Sequence, residues 1–138
     1  MLVEDELADA RLVTLALNEN RIDASVQHLL DGREALEYLR RQGERFATAV
    51  CPDLILVDLN MPRMDGREFL VSIKQDAALC AIPVVVLSTS EVDRDVRDVY
   101  RLGAAGYIAK PLDVAKFIIE IRQLADYWMS LVKLPERR

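Results

Sequence analysis

The sequence predicts an α/β domain built on a doubly wound, five-stranded parallel sheet with five helices. Three observations lead there. Apolar runs such as residues 54–57 (LILV) and 82–87 (IPVVVL) are nearly unbroken, as strands covered on both faces must be. These runs alternate strictly with segments whose apolar residues recur at helical spacing. The chain of 138 residues suffices for one packed domain but is too short for an eight-stranded α/β barrel, which needs about 200.

Taken in order, Leu2 and Val3 form a short apolar stub, the first strand. Residues 9–20 place Leu12, Val13, Leu15, Ala16 and Leu17 at helical spacing, with Asp9 set to cap or start that helix. Residues 24–30 read as the second strand, closed by the turn pair Asp31-Gly32. Residues 33–41 are helical, with Ala35, Leu36 and Leu39 inward, and 42–52 is a loop of polar and small residues. The strand at 54–57 follows, then a loop holding Pro62, then a helix over 66–76 through Phe69, Leu70 and Ile73. The run at 82–87 is the fourth strand. The helix over 91–102 shows Val92, Val96, Val99 and Tyr100 on one face and alternating Asp and Arg on the other. Residues 106–109 are the fifth strand, and a long helix runs over 113–132, with its extension reaching 134.

Bulk properties exclude several classes. A formal net charge of −5 opposes nucleic-acid binding, which needs a basic face. No apolar run approaches the roughly 20 residues of a membrane span, and the acidic start MLVEDELADAR is no signal peptide. Cys51 and Cys80 have neither a pairing pattern nor metal-ligand spacing, so they read as reduced thiols in the cytoplasm. The lone His28, on an edge strand, reads as structural rather than as a metal ligand or phosphohistidine.

In open parallel sheets ligands bind beyond the carboxyl ends of the strands. The residues following each apolar run are Glu4-Asp5, Asp58, Ser88-Thr89 and Lys110-Pro111. Each has a plainer reading: Glu4 and Asp5 could favour a helix N-terminus, and Asp58 could cap a turn. Ser88 and Thr89 could be helix caps, and Lys110 a solvated turn residue. Together they put three carboxylates, a hydroxyl and an amine on one sheet edge. One lysine neutralises one acid of three, so a hard divalent cation, Mg²⁺, completes the charge balance. A free carboxylate beside Mg²⁺, a hydroxyl and a lysine suits phosphoryl chemistry, which is largely positioning and charge neutralisation.

With these residues placed, the sequence resembles the receiver domains of two-component response regulators through LVED at 2–5, LVDLNMPRMDG at 56–66, IPVVVLSTS at 82–90 and GAAGYIAKP at 103–111. The resemblance spans essentially the whole chain. It implies the flavodoxin-like, CheY-like strand order 2-1-3-4-5 and a single receiver domain over 1–138 with no output domain. It implies that Asp58 accepts a phosphoryl group from a sensor histidine kinase, and that Glu4, Asp5, Asp58 and the main-chain carbonyl of Asn60 hold Mg²⁺. Ser88 would hydrogen-bond the phosphoryl group and Lys110 would pair with its oxygens. Tyr107 would be the aromatic whose rotamer follows phosphorylation, and Lys110-Pro111 a cis peptide. The signal would leave through the face of the fourth helix, fifth strand and fifth helix, or the protein would serve as a phosphate sink or relay. The longer segment at 40–52 and the ending ADYWMSLVKLP resemble the standalone regulators of phytochrome-type histidine kinases.

Two departures stand out: the first strand is short, and Ser88 replaces the usual threonine. The last helix carries more apolar residues than one stripe can bury, which points to a homodimer using Ile119, Tyr127, Trp128 and Leu131. Rival readings fit less well. A Mg²⁺-dependent phosphatase with an aspartyl nucleophile would want an acid at position 60, where Asn60 stands. A flavodoxin-like cofactor carrier would need hydroxyl and glycine donors where Glu4-Asp5-Glu6 stands. A degenerate scaffold would lack site residues that are all present here.

Overall fold

The computed structural model describes residues 1–19 and 25–136. Five parallel strands form one sheet in the order 2-1-3-4-5: β1 (Leu2–Val3), β2 (His28–Leu29), β3 (Ile55–Asp58), β4 (Val84–Ser88) and β5 (Gly106–Ala109). Helices α1 (Leu7–Glu19) and α5 (Val114–Ala125) cover one face. Helices α2 (Gly32–Leu39), α3 (Gly66–Gln75) and α4 (Asp93–Arg101) cover the other.

Strand residues divide between two cores by parity. Val3, Ile55, Val57, Val84 and Val86 pack against Leu36, Phe69, Leu70 and Ile73. Their neighbours Leu2, Leu56, Val85 and Leu87 pack against Val13, Phe117 and Ile121. Successive strand side chains point to opposite faces, so a sheet covered on both faces needs apolar residues at every position. Two residues suffice for β1 because it is paired on both sides. Leu2 and Val3 lie opposite His28 and Leu29 of β2 and opposite Leu56 and Val57 of β3.

Several boundaries differ from the sequence expectation. The strand expected at 24–30 is only His28–Leu29, since its single partner β1 is two residues long; position 24 lies outside the described residues. Helix α1 begins at Leu7, so Asp9 sits inside its first turn and is not its cap; position 20, the expected end, is also outside the described residues. The fourth strand starts after Pro83, whose carbonyl accepts the Ile55 N–H at 3.0 Å. Of the α4 face that the pattern suggested, Val99 is buried, whereas Val92 and Tyr100 are exposed.

The 42–52 segment is more than a polar loop. It contains a 3₁₀ turn (Glu44–Phe46) whose Phe46 is buried edge-on against Tyr38, ring centroids 5.4 Å apart. Tyr38 Oη donates to the Val50 carbonyl at 3.1 Å, closing the segment over the core. The last helix is likewise not one α-helix to 132. It is α-helical to Ala125 and then widens into a π-helical turn (Asp126–Leu131), closed by the Val132 N–H on the Tyr127 carbonyl at 3.0 Å.

Candidate functional site

Register places the polar residues. Val3 lies opposite Val57, so Glu4 leaves the sheet level with Asp58. Asp58 lies opposite Leu87 and Ser88 opposite Ala109, so Ser88 and Lys110 emerge one step further along. Backbone bonds continue the ladder at this edge, from Glu4 N–H to Leu29 O at 2.9 Å and from Lys110 N–H to Ser88 O at 2.7 Å. The loops that open here lead into helices with aspartate caps: Asp31, Asp65 and Asp113 accept the N–H groups of Glu34, Glu68 and Lys116.

Lys110 organises the site. Its ammonium lies 2.7 Å from Glu4 Oε2, 3.0 Å from Asp9 Oδ2 and 3.4 Å from Asp58 Oδ1. Glu4 is 1% exposed, Asp58 9%, and the Lys110 side chain 7%. Three acids therefore share one buried cation. Burial pushes the Glu4 carboxyl up to about 7, against the pull of Lys110, and the Asp58 charge adds to the rise. Burial likewise raises Asp58, opposed by Lys110 and reinforced by Asp5. Burial alone would lower the Lys110 ammonium, but Glu4, Asp58 and Asp9 outweigh it and hold the group charged.

The surplus of negative charge fits a cation. One carboxylate oxygen from each of Glu4, Asp5 and Asp58 lies within 4.8 Å of the others, with Asp5 exposed at the mouth. Hard oxygen donors converging so closely suit a divalent ion of the Mg²⁺ or Mn²⁺ kind. Asn60, exposed and two residues beyond Asp58, stands in the loop that would offer the carbonyl ligand. Loop and strand are in tight contact where α3 begins. A Cβ on Gly66 would lie 2.6 Å from the Asp58 carbonyl oxygen.

On the other side of Asp58 the Ser88 hydroxyl is fully buried and accepts the Ser90 N–H at 3.1 Å. The Ser90 hydroxyl donates to Asp95 Oδ2 at 2.6 Å, and Arg67 donates to Asp95 Oδ1 at 2.7 Å. Tyr107 is half-buried, and its hydroxyl donates to the Ser90 carbonyl at 2.6 Å. The chain Ser88–Ser90–Tyr107 thus links the site to β5.

One expectation is corrected. The Lys110–Pro111 bond is trans, as are all peptide bonds among the described residues. The two isomers of such a bond differ by only about 0.5–1 kcal/mol, and with the trans bond Lys110 already reaches Ser88, Glu4 and Asp58. Asp9 is a site residue that sequence reasoning assigned to helix capping. Its signal was available, since the first turn of α1 opens on the same edge as Glu4. The Ser90–Asp95–Arg67 bridge left no comparable trace in sequence spacing. Among the residues expected at a dimer interface, Ile119, Tyr127 and Leu131 are exposed, while Trp128 packs partly against the α1/α5 core.

Comparison with known proteins agrees with this geometry. The model of the response regulator receiver domain family matches residues 1–122. Response regulator Rcp1 of Synechocystis sp. is 41% identical over 135 residues, 98% of this chain and 91% of that protein. The crystal structure of the phosphorylated cyanobacterial phytochrome response regulator RcpA superposes with a TM-score of 0.93 at 44% identity, covering 98% of this chain and 96% of that one. The Mn²⁺-bound form of Rcp1 gives a TM-score of 0.92 at 40% identity, with the same coverage of both chains. A parallel sheet in the order 2-1-3-4-5, with its acids and lysine gathered at one edge, thus comes with a family match over most of the length: the chain belongs to the response regulator receiver domain family.

Proposed function

We propose that this receiver domain is switched by phosphorylation of Asp58, with a phosphohistidine of a sensor kinase as donor. The observation that carries the reading is the convergence of Glu4, Asp5, Asp58 and Lys110 at the carboxyl ends of β1, β3 and β5. An Asp58 carboxylate oxygen attacks phosphorus, the P–N bond of the phosphohistidine breaks, and the leaving imidazole keeps the bonding pair and takes a proton. The product is an acyl phosphate on Asp58. Bound at Glu4, Asp5, Asp58 and the Asn60 carbonyl, Mg²⁺ would supply charge neutralisation for the incoming phosphoryl oxygens.

Lys110 already faces Asp58 and needs only to transfer a hydrogen bond from the carboxylates to the new oxygens. Ser88 must give up the Ser90 N–H to turn its hydroxyl toward the phosphoryl group. That exchange loosens the Ser90 loop to which Tyr107 is bonded, so the signal reaches the surface of α4, β5 and α5.

The kinase is of the phytochrome type on this reading, supported by the 44% identity to a phytochrome response regulator over nearly the whole chain. The domain works in the cytoplasm, and a second copy pairs with it through the apolar end of the last helix. The exposed Ile119, Tyr127 and Leu131, with Trp128 behind them, support that pairing.

The test is labelling by a small phosphodonor with and without Mg²⁺, read by intact mass and by size exclusion. Wild type is expected to gain one phosphoryl group only with Mg²⁺, and Asp58→Asn none. Label retained in Asp58→Asn would overturn the assignment. A monomer mass at every concentration, with and without label, would remove the dimer.

A further inference from the structure

The β3–α3 loop carries the expected main-chain metal ligand, and its backbone is tied to an element outside the acidic site. Asp31, 3% exposed, caps α2 with Oδ1 and accepts from Arg63 with Oδ2, at 2.7 Å from Nε and with Nη2 also in contact. Beside this fork the Gly32 N–H donates to the Met64 carbonyl at 3.1 Å. The approach is close, since a Cβ on Gly32 would lie 2.9 Å from that same oxygen. Arg63 itself has a left-handed backbone, φ +62°, one of two such non-glycine residues among those described. An arginine in that conformation is unfavourable unless its surroundings fix it.

We infer that the Asp31–Arg63 pair is a positioning device for the metal site: it fixes the turn that aims the Asn60 carbonyl at the ion held by Glu4, Asp5 and Asp58. This rests on the reading of Asn60 as a ligand. A surface ion pair alone contributes little to a fold. Here, however, the carboxylate is buried, the guanidinium grips it through two nitrogens, and the residue it anchors lies three positions from Asn60 in a turn. The base of the loop is closed where the Gly66 N–H donates to Leu59 O at 2.9 Å, and its first residue is held where the Leu59 N–H donates to Leu87 O of β4 at 3.2 Å. The loop is thus held to β4 at its first residue and to the start of α2 near its far end, through the Gly32–Met64 bond and the Asp31–Arg63 fork.

The variants can separate positioning from folding. Asp31→Asn keeps a good helix cap and removes the charge that grips Arg63. Arg63→Gly suits the left-handed backbone and removes the fork. Arg63→Lys keeps the charge without the planar fork. Each full-chain variant is titrated with Mn²⁺, free ion being followed by its EPR signal, and its thermal midpoint is recorded. All three are expected to bind Mn²⁺ about 10-fold more weakly, the range seen when groups supporting metal ligands are removed. Arg63→Gly, which leaves the buried Asp31 carboxylate its cap bond but not its cation, is expected to lose Mn²⁺ affinity beyond what its lowered thermal midpoint accounts for. The double variant Asp31→Asn/Arg63→Gly should be no weaker than either single one. Asp5→Asn serves as the control for the metal reading itself. If Asp5→Asn loses affinity while Asp31→Asn and Arg63→Gly bind like wild type, the positioning role is overturned. Affinity that falls only in step with the thermal midpoint overturns it as well. Unchanged binding by Asp5→Asn instead overturns the metal site on which the inference rests.

Discussion

Lys110 and Glu4 are the residues whose chemistry depends most on their surroundings. Lys110→Met leaves Glu4 and Asp58 buried without a cation, and removing one partner of a buried pair typically costs about 3–5 kcal/mol. Urea unfolding at pH 8 in chelator should show a loss of that order, partly recovered on adding Mg²⁺. Glu4 gives a pH dependence of definite sign. Its folded carboxyl titrates at about 7, above the ordinary 4.5, so between these values the folded state holds a proton that the unfolded state has released. This group's contribution is therefore fully present below the lower value and is lost as pH rises to the upper one. The slope is at most about 1.4 kcal/mol per pH unit. Urea midpoints of metal-free protein between pH 5 and 8 should fall with pH, and Glu4→Gln should flatten that fall. The identity of these side chains was legible in the sequence because each follows an apolar run. Their pairing was less so: Asp9 looked like a cap because a helix start and a salt-bridge partner call for the same carboxylate.

Elements show a similar division. Strand positions were readable wherever a strand is buried on both faces, as in β3 and β4, because continuous aliphatic residues have no other use there. The edge strand β2 was overestimated, since β-propensity cannot report that its neighbour offers two residues for pairing. In sequence the 42–52 segment looks like a plain loop, because one aromatic among polar residues carries no period. Phe46 nevertheless fills a place in the core against Tyr38. Phe46→Ala should cost about 3 kcal/mol by chemical denaturation, as for other buried aromatics, whereas a solvated loop would lose almost nothing. At the C-terminal end the sequence showed surplus apolar residues but not the π-helical turn. Widening that turn changes the phase of the helix, leaving Tyr127 and Leu131 outward while Trp128 packs inward.

At the scale of the whole molecule, the metal site proposed above would be linked to the fold. A cation that binds the folded acids and not the unfolded chain stabilises by mass action, by about 2.7 kcal/mol at a hundred times its dissociation constant. Thermal unfolding should therefore move upward with Mg²⁺ in wild type and much less in Asp5→Asn. The linkage follows from topology, because β1 sits between β2 and β3 and supplies Glu4 from the chain's beginning to a site completed near its end. The Lys110–Glu4 contact spans 106 residues. During synthesis the amino-terminal acids leave the ribosome long before their lysine does. Until β5 has been made and docked, a nascent chain has acids but no buried ammonium to gather them. On the proposed reading of Asp58, the site that would receive phosphate is therefore assembled only once β5 has joined the sheet and brought Lys110 to the acids.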